Sequence, residues 1–266
     1  MTEPKDKRAP ITPESEGWRY LSFAVHQPTS ATSVGEDDQE VAIVPLSGTV
    51  TATVEGRDIE LSRTSVFEQM PHILYAPPGA SITIEGDGEC AVGSAPAEGR
   101  YEVRVFTPEE MRTEIRGGGA ARRQVVHALA SPLPAERLIL YEVYVPRGTW
   151  SGWPPHCHDG FDGSPYLEEV YYFRTDPAEG FCMHRNWRID EPFDELHVAN
   201  DGEFVTVPKG YHSSVASPGS HMFFLNYLAG EPTNEERSTP PCFHADFTWI
   251  EDDWDKNGWE LPIVAP

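Results

Sequence analysis

The chain is cut at short intervals by 25 prolines and 22 glycines, and few of the segments between them hold a helical period for more than about ten residues. The intervening runs are rich in Val, Ile, Tyr, Phe and Thr, which are the residues that fit a pleated, half-buried surface. "EVAIVPLSGTVTATVEG" (40–56), "SITIEG" (81–86), "LILYEVYVP" (138–146) and "GEFVTVP" (202–208) are the clearest strands. Strict alternation in "TVTATVE" predicts one buried and one wet face, whereas "HMFFLNYL" (221–228) reads as buried on both. Many short strands joined by tight turns predict an all-β chain built as a barrel or sandwich.

A length of 266 residues with 39% hydrophobic content can bury one large core or two modest ones. The 43 acidic against 20 basic residues leave a net charge of −23, which argues against contact with nucleic acid or an anionic membrane surface. An acidic small molecule would need a local positive site. No apolar run approaches the roughly 18 residues of a membrane span, and the polar start "MTEPKDKRAPITPESEGW" lacks the apolar core of a secretory signal. A cytoplasmic protein is therefore expected. Cys90, Cys157, Cys182 and Cys242 form no CxxC pair, and free thiols suit a reducing compartment.

"RGGGAARR" (116–123) interrupts the strand pattern between two stretches of comparable length. The expected division is 1–115 for a first domain and 116–266 for a second. Both halves carry strands, a Pro-Gly turn ("YAPPGAS", 75–81; "TVPKGYHSS", 206–214) and a further strand, an order compatible with duplication and also with two unrelated β domains.

The residues that carry chemistry lie in the second half. In "WPPHCHDGFDGSPYLEEVYYF" (153–173), His156 and His158 are two apart and on an extended strand share a face. Glu169 opens the aromatic strand that follows. Its neighbour Glu168 then points the opposite way, so only one of the two can ligate. His212 follows a Pro-Gly turn in "GEFVTVPKGYHSS". Three imidazoles and a carboxylate suit one borderline divalent ion, Zn first and Mn, Fe, Ni or Co as alternatives, with positions left for water or substrate. Singly, each of these residues has a plainer explanation as a polar cap or a solvated surface group.

Together, HxH, a following Glu and "GEFVTVPKGYH" (202–212) resemble the two motifs of the cupin barrel. The loop from Asp159 to Glu168 is long for that pattern, which leaves Glu168 against Glu169 open, and the second motif is one residue short. The flanks "VYVPRGTWSGWPPHCHD", "LEEVYYFR", "VTVPKGYHSSVASPG" and "LNYLAG" resemble the 5-deoxy-glucuronate isomerase family of bacterial myo-inositol catabolism, most closely in the second half. That resemblance implies two cupin barrels in one chain, the metal in the second and none in the first. Between Glu40 and Pro96 the sequence holds one histidine, His72, and no HxH. The segment "GFCMHRNWRIDEPFDE" (180–195) departs from the family's usual form.

The activity implied is the conversion of 5-deoxy-glucuronate, an anionic sugar acid, to 5-dehydro-2-deoxy-gluconate. A divalent ion on the C1 carbonyl and C2 hydroxyl would acidify the C2 hydrogen. Tyr171 shares the face of Glu169 and is a candidate catalytic residue, although its resting pKa is high for a base. Arg185 is the candidate for the substrate carboxylate, by parity with Phe181 and Met183 and by its planar fork of donors. Lys209 and Tyr211 are expected to be exposed at the barrel mouth, and Trp150, Trp153 and Cys157 to serve packing. His127, His184, His197, His221 and His244 lack a partner at ligand spacing. Two rivals stand beside the isomerase: an iron-dependent cupin dioxygenase with the same ligands, and a non-catalytic sugar-binding cupin. A homo-oligomer is compatible with the sequence.

Overall fold

The computed structural model describes residues 6–254. An amino-terminal cupin barrel is formed by β1 (Ser22–His26), β2 (Thr32–Val34), β3 (Gln39–Val54), β4 (Arg57–Arg63), β5 (Ile73–Ala76), β6 (Ile82–Gly86), β7 (Glu89–Pro96) and β8 (Arg104–Phe106). A second cupin barrel follows with β9 (Arg112–Arg116), β10 (Arg123–Leu129), β11 (Ile139–Val145), β12 (Trp150–Cys157), β13 (Leu167–Asp176), β14 (Phe181–Trp187), β15 (Asp194–Asn200), β16 (Phe204–Val207), β17 (Tyr211–Ala216), β18 (His221–Gly230) and β19 (Cys242–Phe243). Its strands make a six-stranded sheet, β16-β13-β18-β11-β10-β9, and a five-stranded sheet, β15-β14-β17-β12-β19. All the pairings are antiparallel, for example β13 with β18 and β14 with β17.

The strand readings hold in detail. Val50, Ala52 and Val54 are buried while Thr49, Thr51 and Thr53 are half-buried, and β18 is buried on both faces from Met222 onward. The glycine run is the turn of the β9–β10 hairpin, because Arg116 pairs with Arg123. A division between 115 and 116 therefore falls inside β9, whose pairing belongs to the second barrel.

The registers of the two barrels match. Val41 faces Ala76 on one side and Ser94 on the other, and Glu169 likewise faces Val207 and Leu228. One residue earlier, Glu40 faces Ala95 as Glu168 faces Ala229. The two glutamates do reciprocal work. The buried Glu40 carboxylate accepts hydrogen bonds from the backbone N–H groups of Glu136, Arg137 and Leu138, at 2.8, 2.6 and 2.6 Å. Glu168 accepts from Arg19, Tyr20 and Leu21 of the other half. Each barrel thus satisfies buried backbone donors of its neighbour, which is the condition for burying such groups at all.

Between the barrels lies a shared core with Phe23, Tyr75 and Phe106 from one half and Val126, Phe223 and Tyr227 from the other. Tyr227 lies so close to Gly93 that a Cβ there would sit 2.2 Å from its ring, so glycine permits the contact. Arg63 reaches across to Glu142 at 2.7 Å with both side chains fully buried. Each barrel also has its own interior. The first is filled by aliphatic side chains such as Val41, Ile43, Val50, Leu74 and Ile84, whereas the second holds polar groups.

Candidate metal centre

In the second barrel His156 on β12 stands directly opposite His212 on β17, and His158 follows two residues along on the same face. One donor atom from each of the three imidazoles can be chosen so that all lie within 4.8 Å of one another. Glu169 enters from β13 of the facing sheet, with Oε2 2.8 Å from His158 Nε2 and 3.3 Å from His212 Nε2. The turn delivering His212 depends on Gly210, at φ +85°, where a Cβ would come within 2.3 Å of the Trp187 carbonyl oxygen.

The surroundings orient these donors. His158 Nδ1–H donates to the Leu167 carbonyl at 2.9 Å and His212 Nδ1–H to that of Gly210 at 3.3 Å. A carbonyl can only accept, so each Nδ1 keeps its proton and each Nε2 faces inward, where it can give up a proton and offer its lone pair to an ion. His212 Nε2 is buried without a hydrogen-bond partner, as expected of an atom arranged to bind something else. Asn226 donates to Glu169 Oε1 at 2.8 Å, which leaves Oε2 facing the imidazoles. The donor set therefore fits a divalent ion. Burial, reinforced by His212 and His158, holds His156 well below the ordinary imidazole range. Burial is the largest influence on His158 and opposes its charge, but the hydrogen bond to Glu169, the charge of Glu169 and the hydrogen bond to the Leu167 carbonyl together outweigh it and raise the pKa. For Glu169 burial is likewise overcome, and the neighbouring imidazoles lower its pKa.

Strand alternation separates the two adjacent glutamates as expected: Glu169 faces the imidazoles, and Glu168 faces the amino-terminal half. Tyr171 is buried beside the cluster, its ring centroid 5.8 Å from that of His212. Burial and the Glu169 charge raise its pKa well above the ordinary phenol value, so it is a phenol at neutral pH and a hydrogen-bond donor rather than a base.

Arg185 does not reach the cavity. Cys182, His184 and Asn186 are buried on one face of β14, and Phe181, Met183 and Arg185 are exposed on the other, with Trp187 buried at the strand's end. There Arg185 lies over Trp187 and makes two 2.8 Å bonds to Asp194. Parity grouped these residues correctly, but barrel closure turned the other face inward. Tyr211 is also misjudged by the sequence reading: it is 2% exposed and packs on His244 and Trp187. Lys209 is half-exposed and paired with Glu191 at 2.6 Å. Cys157 packs with Trp187 and Tyr211, and Trp153 stacks edge-on against Phe247 and Trp150. His184 is fully buried between Ser214 and Asn186, at 2.8 and 2.9 Å.

A cavity of 620 Å³ is lined by His156, His158, Glu169 and Tyr171 together with Arg123 and Arg237. Asn226 and Arg123 line this cavity, and the sequence reading singled out neither. Asn226 sits in a strand buried on both faces, where alternation carries no signal. Arg123 sits in the stretch that looks like a linker, although its parity with Val125 and His127 marks a strand face.

Residues 2–250 match the profile of the KduI/IolB family. The 5-deoxy-glucuronate isomerase of Geobacillus kaustophilus is 38% identical over 230 residues, covering 83% of each chain, and that of Bacillus subtilis strain 168 is 32% identical over 236 residues, 85% of this chain and 86% of the relative. The crystal structure of an IolB-like protein from Salmonella typhimurium LT2 superposes with a TM-score of 0.85 at 32% identity, covering 94% and 97% of the two chains. An oxalate decarboxylase from Lactobacillus farciminis, at 11% identity and a TM-score of 0.57 over 84% and 80% of the two chains, shares the fold. With a family profile spanning nearly its whole length, relatives above 30% identity and two cupin barrels in the same order, the chain belongs to the KduI/IolB family.

Proposed function

We propose that the chain is an aldose–ketose isomerase that converts 5-deoxy-glucuronate to 5-dehydro-2-deoxy-gluconate, using one divalent ion held by His156, His158, Glu169 and His212. The observation that carries this reading is the buried cluster of three imidazoles and a carboxylate at the base of a substrate-sized cavity, in a chain whose relatives are named for that activity. Zn suits the nitrogen-rich set first, and Mn, Fe, Ni or Co would fit the same ligands.

The net reaction moves one hydrogen from C2 to C1 and one from the C2 hydroxyl to the former carbonyl oxygen, so no external oxidant or reductant is consumed. A divalent ion at this site supplies Lewis acidity to a carbonyl and the hydroxyl beside it. The protein residues prepare the site for that chemistry. His156 stays neutral because burial and the neighbouring imidazoles disfavour its cation, and Asn226 fixes Glu169 with its free oxygen toward the imidazoles. Tyr171, protonated and lining the cavity, would donate to a substrate oxygen as charge develops there. The surrounding walls Val143, Phe224 and Leu228 are apolar, which limits water and strengthens these interactions.

The test is to incubate metal-loaded protein with 5-deoxy-glucuronate and follow the sugar by NMR. The aldehyde and hydrate signals should give way to those of a ketone in stoichiometric amount. A substrate spectrum unchanged over many hours would remove the isomerase reading.

A further inference from the structure

The isomerase reading leaves the anionic end of the substrate without a partner, since Arg185 is outside the barrel. Three arginines line the cavity, and their bonding differs. Arg116 is ion-paired with Glu114 on the rim. Arg237 is buried and directs its nitrogens to the carbonyls of Asn234, Leu133 and Leu138, so it ties loops together.

Arg123 is the exception. Its residue is 6% exposed, at the start of β10. Among the described residues its guanidinium donates only to backbone carbonyls, Ala121 at 2.9 Å and Trp153 at 3.2 Å, and its Nε is buried without a partner. A buried guanidinium with an unused donor and no carboxylate is costly to keep unless a ligand completes it. It also opens onto the same cavity as His156 and Tyr171. Burial and Arg116 lower its pKa to about 10, which leaves it cationic at neutral pH.

We infer that Arg123 is the specificity residue for the substrate carboxylate: it binds the acid end of an open-chain sugar acid whose carbonyl end lies at the His156–His158–Glu169–His212 cluster. This rests on the isomerase reading and adds the determinant of substrate class. Arg123 and the cluster line one cavity, so a single ligand can meet both. A planar guanidinium held by two backbone carbonyls is oriented before the ligand arrives, so little side-chain freedom is lost on binding. In a protein of charge −23, such a buried cation also provides the local attraction that an anionic substrate needs.

The test compares Arg123→Met and Arg123→Lys with the parent, using 5-deoxy-glucuronate and the neutral 5-deoxy sugar that carries CH2OH in place of the carboxylate. The neutral sugar is assayed both as substrate and as competitive inhibitor. Arg123→Met should lower kcat/KM for the acid roughly 10- to 100-fold, chiefly through KM, with little change in the neutral sugar's constants or in metal content. Arg123→Lys, which keeps the charge and loses the fork, should retain an intermediate preference for the acid. An acid-to-neutral ratio unchanged in both variants overturns the assignment, and so does an equal loss for both sugars with metal content intact. If Arg123→Met fails to fold, the ratio in Arg123→Lys decides alone. Should the parent itself not isomerise the acid, the isomerase reading fails instead, and the two failures are thereby told apart.

Discussion

Glu168 and Glu169 are adjacent in sequence, yet their carboxylates serve opposite faces of β13. Glu168 accepts three backbone hydrogen bonds from Arg19, Tyr20 and Leu21, at 2.7, 2.8 and 2.8 Å, while Glu169 lies 2.8 Å from His158 in the second barrel's interior. One residue of strand alternation thus separates an inter-barrel clamp from a candidate metal ligand.

Glu169→Gln is therefore expected to lose bound metal, because the carboxylate supplies the ligand set's negative charge. Glu168→Gln should retain metal and lose stability by about 1–3 kcal/mol, since three backbone donors lose their charged acceptor. Metal analysis together with denaturant unfolding separates the two. Equal metal contents in the two variants would exclude the assignment.

Apparent metal affinity should weaken as pH is lowered, beginning above the pH at which an ordinary imidazole protonates. The sign follows from His158: with its pKa raised by Glu169, it takes up its proton at a higher pH, and that proton competes with the ion for Nε2. Changing Glu169 to Gln removes the cause, so the proton competition at His158 should shift to lower pH. NMR titration of the imidazole signals in chelator-treated parent and variant measures both.

Arg185→Leu should leave kcat and KM for the acid within about twofold of the parent, because its guanidinium is on the outer face and satisfied by Asp194. A loss of tenfold or more would mean that the outer face of β14 takes part in substrate binding.

Turnover in anaerobic buffer should equal turnover in air, since moving hydrogen between C2 and C1 consumes no oxygen. Oxygen uptake in proportion to product, read with an electrode during the NMR assay, would favour a dioxygenase with the same ligands.

Arg63→Met should destabilise the chain by about 3–5 kcal/mol, because Glu142 would be left as an uncompensated charge in the core between the barrels. The double variant Arg63→Met, Glu142→Met should recover much of that loss. Unfolding midpoints of the two variants make the comparison.

The local pattern of residues was sufficient for the strands and for the faces their side chains share. Proline and glycine spacing marked the strands, HxH placed two imidazoles on one face, and alternation chose Glu169 over Glu168. The Pro-Gly turns at Pro77–Gly79 and Pro208–Gly210 revealed the shared order of the two halves, which the matching registers of Val41 and Glu169 make specific. Tertiary structure decided which face of each strand turns inward and which distant side chains share a cavity. Alternation says that Phe181, Met183 and Arg185 lie together, but only closure of the five-stranded sheet against the six-stranded one puts Cys182, His184 and Asn186 inside. Pairing of Arg116 with Arg123 likewise turned an apparent linker into a hairpin and carried Arg123 to the cavity. The physical reason is that a strand's two faces are equivalent until another sheet buries one of them, and that burial depends on residues far away in the chain.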